Sequence, residues 1–299
     1  MKRQFVLGML FAAGALTMSV NALQQPQAGA AGQPAPRVVE VDKLKDNLYM
    51  MRGMGGGGNT AVFITATGVV VVDTKNPGWG QPLLDKIKSV TDKPVTTIIN
   101  THTHADHTGS NEFFPASVEV VAQENTKTNM EKMDAFKGEK AQFLPDKTYK
   151  DKLTLNSGND RIDLYYFGAG HTNGDTIVVF PTLRVAHAGD LFPRKATPLI
   201  DVNNGGSGVA YPETLKKAVS DITGVDEVIT GHDLVLPWSA LAEYGEFNLA
   251  FLDATKAALE AGKSVEDAVA QFQMPDKFKD YGMNGLKDNV PKIYAELKK

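Results

Sequence analysis

Residues 100–111, NTHTHADHTGSN, hold three of the chain's six histidines and one aspartate within six consecutive positions. The stretch VTTII (95–99) comes directly before them, and its apolar β-branched residues predict a buried strand. A spacing of two does not put two ligands on one helix face, which needs a spacing of four. A tight loop can turn these side chains inward, and imidazole and carboxylate ligands suit zinc, iron or manganese. The segment therefore predicts a metal site that uses His102, His104, Asp106 and His107.

Further donors follow other predicted strands. His171 lies in FGAGHTNGD, Asp190 in VAHAGDLF and His232 in VITGHD, each before turn-forming residues. Strand ends of this kind are where α/β proteins concentrate their chemistry. Four donors do not complete two metal sites, so these additional donors are what a two-metal centre requires. The sixth histidine, His187, lies inside the strand RVAHAG, where we expect a buried hydrogen-bonding role rather than a ligand.

The apolar pattern predicts strands in runs first, and then strands alternating with helices. Four strands are predicted before residue 75, with a hairpin turn at 66–68, and helices are predicted for QPLLDKIKSVTD and for 123–137. From residue 237 onward the pattern is helical, and Ser264 is expected to cap one of these helices. This order predicts an α/β sandwich, in which two sheets pack on each other with helices outside.

The glycine-rich segment GMGGGG (53–58) has the spacing G-x-G-x-x-G of a dinucleotide-binding motif. That motif holds pyrophosphate at the N-terminus of a following helix. The segment that follows here, NTAVFITATG, is rich in β-branched residues and predicts a strand, and no P-loop Lys-Ser/Thr pair is present. The pattern argues against a nucleotide site and favours a mobile glycine loop that flanks a pocket.

The beginning of the chain predicts export. Residues 1–22, MKRQFVLGMLFAAGALTMSVNA, have the basic start, short apolar run and small-residue ending of a signal peptide cut after Ala22. The apolar run is too short for a comfortable membrane span, so no stable anchor is expected after cleavage. Residues 23–37 are rich in Gln, Ala, Gly and Pro and predict a flexible linker. The folded domain is then expected to span 38–299, with the helices of 240–299 packed on it.

Composition limits the classes of partner and chemistry. The formal net charge is −4 and no basic stripe is present, which argues against a nucleic-acid partner. The chain has no cysteine, so disulfides, thiolate ligands and a cysteine nucleophile are excluded. A small-molecule substrate is expected, and the sequence leaves the oligomeric state open.

The motifs THTHADHTGSN, GHTNGDT, AGDLF and TGHD resemble, in order, the metal-binding motifs of the metallo-β-lactamase superfamily. The resemblance covers roughly residues 40–235, and GVVVVDT is similar to the superfamily segment whose aspartate, here Asp73, orients the histidine loop from behind the ligands. It implies a four-layer αββα sandwich with extra C-terminal helices. It also implies two metal ions, the first held by His102, His104 and His171, the second by Asp106, His107 and His232, with Asp190 bridging them.

This resemblance implies a zinc-dependent hydrolase with two zinc ions per chain, with iron or manganese as alternative metals. A hydroxide shared by the metals is expected to attack the carbonyl of an ester, lactone, thioester or amide, with Asp106 and Asp190 as the catalytic carboxylates. A bridging aspartate is the pattern of glyoxalase-II-like thioesterases and lactonases, whereas zinc β-lactamases usually carry Cys or Ser there. The expected location is the periplasm or the extracellular medium.

Three other functions stay open from the sequence. The first is a class B β-lactamase that hydrolyses β-lactam antibiotics. The second is an oxidoreductase similar to persulfide dioxygenases, with a single iron ion. The third is a metal-binding or partner-binding module without catalysis, which the complete ligand set disfavours. The C-terminal helices either cap the sandwich, shape the pocket or form a dimer face.

Overall fold

The computed structural model describes residues 37–299. The predicted signal peptide and the predicted linker, except for Arg37, therefore lie outside the described residues, and both stay predictions. Within the described part of the chain, no helix is long and apolar enough to cross a membrane.

The first sheet contains seven strands that follow one another in space as they do along the chain. The strands are β1 (Val39–Lys45), β2 (Leu48–Gly53), β3 (Thr60–Ile64), β4 (Val69–Val72), β5 (Val95–Ile99), β6 (Glu119–Gln123) and β7 (Lys147–Tyr149). Pairing is antiparallel from β1 to β4 and parallel from β4 to β7. Parallel neighbours need crossover connections, which here contain α1 (Gly80–Lys88), α2 (Ala105–Thr108) and α3 (Glu124–Met130).

The second sheet contains six strands, again in chain order across the sheet. They are β8 (Lys152–Leu155), β9 (Ile162–Tyr165), β10 (Ile177–Phe180), β11 (Val185–His187), β12 (Glu227–Ile229) and β13 (Val235–Pro237). All pairs are antiparallel except β11 with β12, and these two strands are joined through α4 (Tyr211–Asp221).

The two sheets pack face to face around an apolar core. Phe63 of β3 meets Phe180 of β10 with ring centroids 5.0 Å apart, and both side chains are fully buried. On the outer faces, Leu83 of α1 packs against the first sheet and Leu215 of α4 against the second. The predicted four-layer αββα sandwich is therefore confirmed.

Three helices follow the second sheet: α5 (Ser239–Glu260), α6 (Val265–Ala270) and α7 (Leu286–Leu297). Helix α5 packs on α4 against the second sheet, while α6 and α7 join α5 in a further apolar cluster. The predicted cap of α6 is present, because the Ser264 side chain accepts a hydrogen bond from the amide of Asp267 at 3.1 Å. The predicted extra C-terminal helices are thus confirmed as part of the fold.

Two helices were predicted too long, and two strands were missed. The helix expected over QPLLDKIKSVTD (81–92) ends at Lys88. The helix expected over 123–137 ends at Met130 and is followed by short 3₁₀ turns. Met133 is extended, with φ −79° and ψ 134°, so a right-handed helix does not continue through it. Strands β7 and β13 contain only three residues each, which is too short to show an alternating pattern.

Two leucines of α5 test how the helix contributes to stability. Leu241 is fully buried against the second sheet, whereas Leu249 is about half exposed. We expect Leu241→Ala to lower the free energy of unfolding by about 2–5 kcal/mol, because it leaves a cavity. Leu249→Ala, the matched control, is expected to change it by less than about 0.5 kcal/mol. Urea denaturation followed by circular dichroism measures both values, and equal losses would contradict the packing of α5 described here.

Candidate metal centre

The histidine loop is held in place by Asp73, the residue that follows β4. Asp73 has φ +63° and is fully buried. Its Oδ1 accepts the backbone N–H of Thr101 at 2.8 Å, and its Oδ2 accepts the Thr101 hydroxyl at 2.7 Å. These bonds fix the chain where it leaves β5, so that the loop turns back into α2. His102 and His107 are thereby directed inward, and both are fully buried.

The second sheet brings the remaining donors to the same place. Asp190 follows β11, His232 follows β12, and His171 lies in the loop between β9 and β10. Asp190 and His171 are buried, while His232 keeps a partly exposed side chain. The candidate site therefore lies where the strand ends of both sheets meet. All seven residues that the sequence predicted as ligands are brought together there.

The seven side chains form three overlapping groups, each with donor atoms close enough to surround one cation. The groups are His102, His104 and His171 (the first cluster), Asp106, His107 and His232 (the second cluster), and His102, His107 and Asp190 between them. In the first cluster, His171 Nε2 lies 2.8 Å from His104 Nδ1. In the second, His232 Nε2 lies 3.3 Å from both His107 Nε2 and Asp106 Oδ2.

The Asp190 carboxylate reaches both clusters. Its Oδ2 lies 3.7 Å from His171 Nε2, and its Oδ1 lies 3.3 Å from His107 Nε2 and 3.1 Å from His232 Nε2. Its two oxygens therefore lie within 3.7 Å of donor nitrogens in both clusters.

Hydrogen bonds on the outer ring nitrogens decide where the imidazole protons sit. His171 Nδ1 donates to the Leu199 carbonyl at 2.7 Å, and His104 Nε2 donates to Asp201 Oδ2 at 2.7 Å. Because a carbonyl or carboxylate accepts only from an N–H, each proton lies on the outer nitrogen. In the neutral imidazoles, the inner nitrogens of His171 and His104 present lone pairs to each other.

The same reasoning applies to His102 and His107. His107 Nδ1 lies 2.6 Å from Asp73 Oδ2, an acceptor. The Thr101 hydroxyl gives its proton to Asp73, so at 3.0 Å it accepts one from His102 Nδ1. The inner Nε2 atom of His102 is buried and has no hydrogen-bond partner within residues 37–299, and neither has Asp190 Oδ1.

This donor set fits divalent metal ions. Lone pairs that face one another at 2.8–3.3 Å repel unless a cation lies between them. Zinc bonds to histidine nitrogen at about 2.0–2.1 Å, so neighbouring ligands of a tetrahedral zinc lie roughly 3.3 Å apart. Buried donors without partners and imidazoles oriented from behind are the usual features of such a site. The arrangement supports metal binding by these residues.

The electrostatics of the two clusters differ. Burial lowers the pKa of His102 well below its usual value, and neighbouring histidines lower it further. Burial lowers the pKa of His171 to about 4. Burial also opposes a charge on His107, but the carboxylates of Asp190 and Asp73 outweigh it and raise its pKa well above the usual value. His102 and His171 thus favour the neutral imidazole, whereas a positive charge is favoured at His107 beside Asp190.

The region from residue 53 to 232 matches the model of the Metallo-beta-lactamase superfamily. The chain belongs to this superfamily. The match confirms the resemblance that the motifs indicated, and it supports the expectation that the chain is a superfamily hydrolase.

Relatives of the superfamily agree with this assignment. A metallo-beta-lactamase type 2 of Elizabethkingia meningoseptica is 31% identical over 222 residues, which cover 68% of this chain and 82% of that protein. A solved metallo-beta-lactamase from Pontibacter korlensis has a TM-score of 0.61 at 22% identity and covers 71% of this chain and 99% of that one. The sec-alkylsulfatase Pisa1 from Pseudomonas sp. has a TM-score of 0.74 at 13% identity and covers 86% of this chain and 50% of that one. At these identities the two structures are similar in fold alone.

The glycine loop between β2 and β3 packs directly on the site of this superfamily member. A Cβ atom on Gly58 would come 2.1 Å from the His107 ring, and one on Gly231 would come 2.0 Å from Asp190 Oδ1. Side chains at either position would displace a candidate ligand. The glycine loop therefore lies beside the candidate metal centre, and its mobility and its place at a pocket stay predictions.

Three residues near the centre were not predicted as parts of the site. Asp201 and the Leu199 carbonyl orient His104 and His171, and no motif in the sequence marks either of them. Lys75, two residues after Asp73, is fully buried, and a lysine in the turn-forming segment DTKNPG gives no such signal. His187, in contrast, is a buried hydrogen-bonding residue as expected, because its Nδ1 accepts the Gly189 N–H and its Nε2 donates to the Asn59 carbonyl.

Lys75 holds both ends of the glycine loop. Its Nζ donates to the Met51 carbonyl at 2.8 Å and to the Gly58 carbonyl at 2.9 Å. Burial lowers its pKa to about 7, although Asp73 acts in the opposite direction. A neutral amine has two N–H groups, and these two carbonyls use both of them.

Lys75 makes stability depend on pH. Its pKa of about 7 in the folded protein lies below the value near 10.4 of an unfolded chain, so the unfolded chain binds more protons between these values. We expect the free energy of unfolding of the wild type to rise relative to Lys75→Met from pH 7 to 9.5, by at most about 1.4 kcal/mol per pH unit. Urea denaturation at several pH values measures this difference.

Lys93→Met is the control for this experiment. Lys93 also donates to two backbone carbonyls, those of Thr65 and Ala66, but its side chain is exposed. A constant difference between the wild type and Lys75→Met across this pH range would show that Lys75 is not neutral in the folded protein.

Proposed function

We propose that this chain is a two-zinc hydrolase that cleaves an ester, lactone, thioester or amide at its carbonyl carbon. The observation that carries the proposal is the position of Asp190, whose carboxylate lies within 3.7 Å of donor nitrogens in both clusters. The first ion would be held by His102, His104 and His171, the second by Asp106, His107 and His232, and Asp190 would serve both.

Two zinc ions at this site would polarise the substrate carbonyl and lower the pKa of bound water to about 7. Asp106 has the most accessible carboxylate of the donor set, with 31% of its side chain exposed, compared with 11% for Asp190. We assign it the transfer of a proton to the leaving group, from a position 3.3 Å from His232 Nε2. Asp73 acts from behind the ligands, where it keeps the His107 proton on the outer nitrogen.

The surroundings of the site favour a substrate with an apolar part. Four exposed apolar side chains belong to segments that border the donors: Met54, Leu199, Val202 and Leu234. Met54 lies in the glycine loop, Leu199 and Val202 flank the Asp201 position, and Leu234 follows His232 closely. Exposed apolar groups around a polar site are typical of a binding surface for an apolar substrate group.

Hydrolysis of β-lactam antibiotics is the second candidate function. Its support is the relative from Elizabethkingia meningoseptica, a metallo-beta-lactamase type 2 that aligns with 68% of this chain. A β-lactam is a cyclic amide, so the same carbonyl chemistry would apply to it. Asp190 sets this chain apart from the Cys or Ser pattern of zinc β-lactamases, and we therefore place this candidate second.

We also propose that the enzyme acts in the periplasm or outside the cell. The support is the basic, apolar and small-residue order of residues 1–22. Fractionation of cells that express the full chain, with N-terminal sequencing of the product, tests cleavage after Ala22.

The role of Asp190 can be tested by metal content and activity together. Asp190→Asn removes the charge shared by both clusters, so we expect bound zinc to fall from about two to about one per chain. Turnover of esters, lactones, thioesters and lactams is expected to fall at least about 100-fold. Asp163→Asn is the matched control, because Asp163 is a buried carboxylate of the same sheet outside the donor groups.

The same measurements separate the alternative functions. One iron ion per chain without zinc would contradict the proposal and support the iron oxidoreductase. Two zinc ions without cleavage of any compound in the panel would support a binding module. Cleavage of lactams alone would support the second candidate.

The apolar border can be tested with p-nitrophenyl esters of increasing acyl length. We expect kcat/KM to rise about two- to fourfold per added methylene over short chains, because each buried methylene contributes up to about 0.8 kcal/mol. Leu199→Ser and Leu234→Ser are expected to flatten this dependence. Leu249→Ser, on the outer surface of α5, is the control, and an unchanged slope in all three variants would contradict the assignment.

A further inference from the structure

We propose that helix α7 positions the first cluster, through the segment 198–208 that it holds against His104 and His171. The inference rests on the proposed function, because it concerns the residues assigned there to the first zinc ion. It gives the C-terminal helices a specific role, beyond covering the sandwich.

The segment contacts both histidines on the sides that face away from the ion. The Leu199 carbonyl accepts the His171 Nδ1 proton, and the Asp201 carboxylate accepts the His104 Nε2 proton, each at 2.7 Å. The Asp201 N–H also donates to the His171 carbonyl at 2.9 Å. A shift of this segment would therefore move two of the three rings in the first cluster.

Helix α7 binds the same segment from the other side. Asn289 Nδ2 donates to the Pro198 carbonyl at 2.7 Å, and Lys292 Nζ donates to the Ile200 carbonyl at 2.8 Å. The carbonyls of 198 and 200 thus bind α7, while the carbonyl of 199 between them binds His171.

Two further contacts fix the end of the segment. The Glu296 carboxylate accepts the Ser207 hydroxyl and the Val209 N–H. A Cβ atom on Gly208 would come 2.5 Å from Ile293 Cγ1, so the backbone lies directly against the helix. Ile200 is buried in the same apolar cluster as Ile293. The segment is therefore held to α7 along its length, by polar and apolar contacts together.

The second cluster does not share this support. His107 is oriented by Asp73 of the first sheet, and the backbone N–H of His232 donates to the Pro193 carbonyl. Helix α7 also lies outside residues 53–232, which match the superfamily model. Loss of the α7 contacts is consequently expected to weaken the binding of one ion and to leave the binding of the other unchanged.

The test is a zinc titration of the full chain in competition with a chromophoric chelator, which yields the affinity of each of the two zinc ions. The test variants are Asn289→Leu and Lys292→Met. Lys292 is partly exposed, so its replacement is expected to leave the fold intact. We expect each variant to lower the affinity for one zinc ion about tenfold and to leave the affinity for the other unchanged. A tenfold loss is in the range observed when outer contacts of metal ligands are lost.

Three further variants test whether the contacts between α7 and the segment 198–208 cause this loss of zinc affinity. Asp201→Asn removes the negative charge of the group that accepts the His104 proton, and it is expected to weaken the binding of the same zinc ion. Lys292→Arg retains a donor and is expected to keep the wild-type affinities. Tyr294→Phe removes a hydroxyl of α7 that bonds the Lys263 carbonyl rather than the segment, and it is expected to change neither affinity.

The outcomes separate this inference from the proposed function. A wild-type protein that holds no zinc would contradict the proposed function, and this inference with it. Two zinc ions in the wild type, with unchanged affinities in both test variants, would overturn the inference alone. An equal loss of affinity for both ions would also overturn it, because that result indicates general loosening of the fold.

Discussion

The metal centre depends on one buried carboxylate in an unusual backbone conformation. Asp73 follows a strand with four fully buried valines and turns the chain at φ +63°, which costs a non-glycine residue free energy. Its two oxygens accept three hydrogen bonds, two from Thr101 and one from His107. The residue thereby joins the end of β4 to the histidine loop after β5. His107 is oriented by this connection directly, and the loop that carries the other donors begins at it.

Hydrogen bonds to the outer ring nitrogens orient the histidines of the site. Each inward-facing lone pair of His102, His104, His107 and His171 follows from an acceptor on the opposite side of the ring. These acceptors are of three chemical kinds: hydroxyl, carboxylate and backbone carbonyl. Orientation of ligands from behind lowers the reorganisation that metal binding requires, because the rings are already in place. The site is therefore built from two layers. The inner layer is the seven candidate ligands, and the outer layer is the residues that accept the outer ring protons, namely Asp73, Thr101, Leu199 and Asp201.

The sequence was sufficient to predict the fold and the grouping of the inner layer, but it indicated only Asp73 of the outer layer. The seven donors stand in short motifs at strand ends, where residue type and local pattern carry the information. Asp201 and Leu199 meet His104 and His171 only through tertiary folding, across 97 and 28 positions of the chain. Lys75 resembles an ordinary turn lysine until its burial is known. The short strands β7 and β13 also depend on their partners rather than on their own three residues.

Helix α7 is synthesised after all the donors, because it lies nearer the C-terminus of the chain. All seven donors emerge from the ribosome before Asn289 and Lys292, which bind the segment behind the first cluster. A nascent chain that has passed His232 carries the complete donor set but lacks the helix that supports two of its rings. The supports of the second cluster, Asp73 and Pro193, are by then already made. The residues that support the two clusters therefore become available at different stages of synthesis.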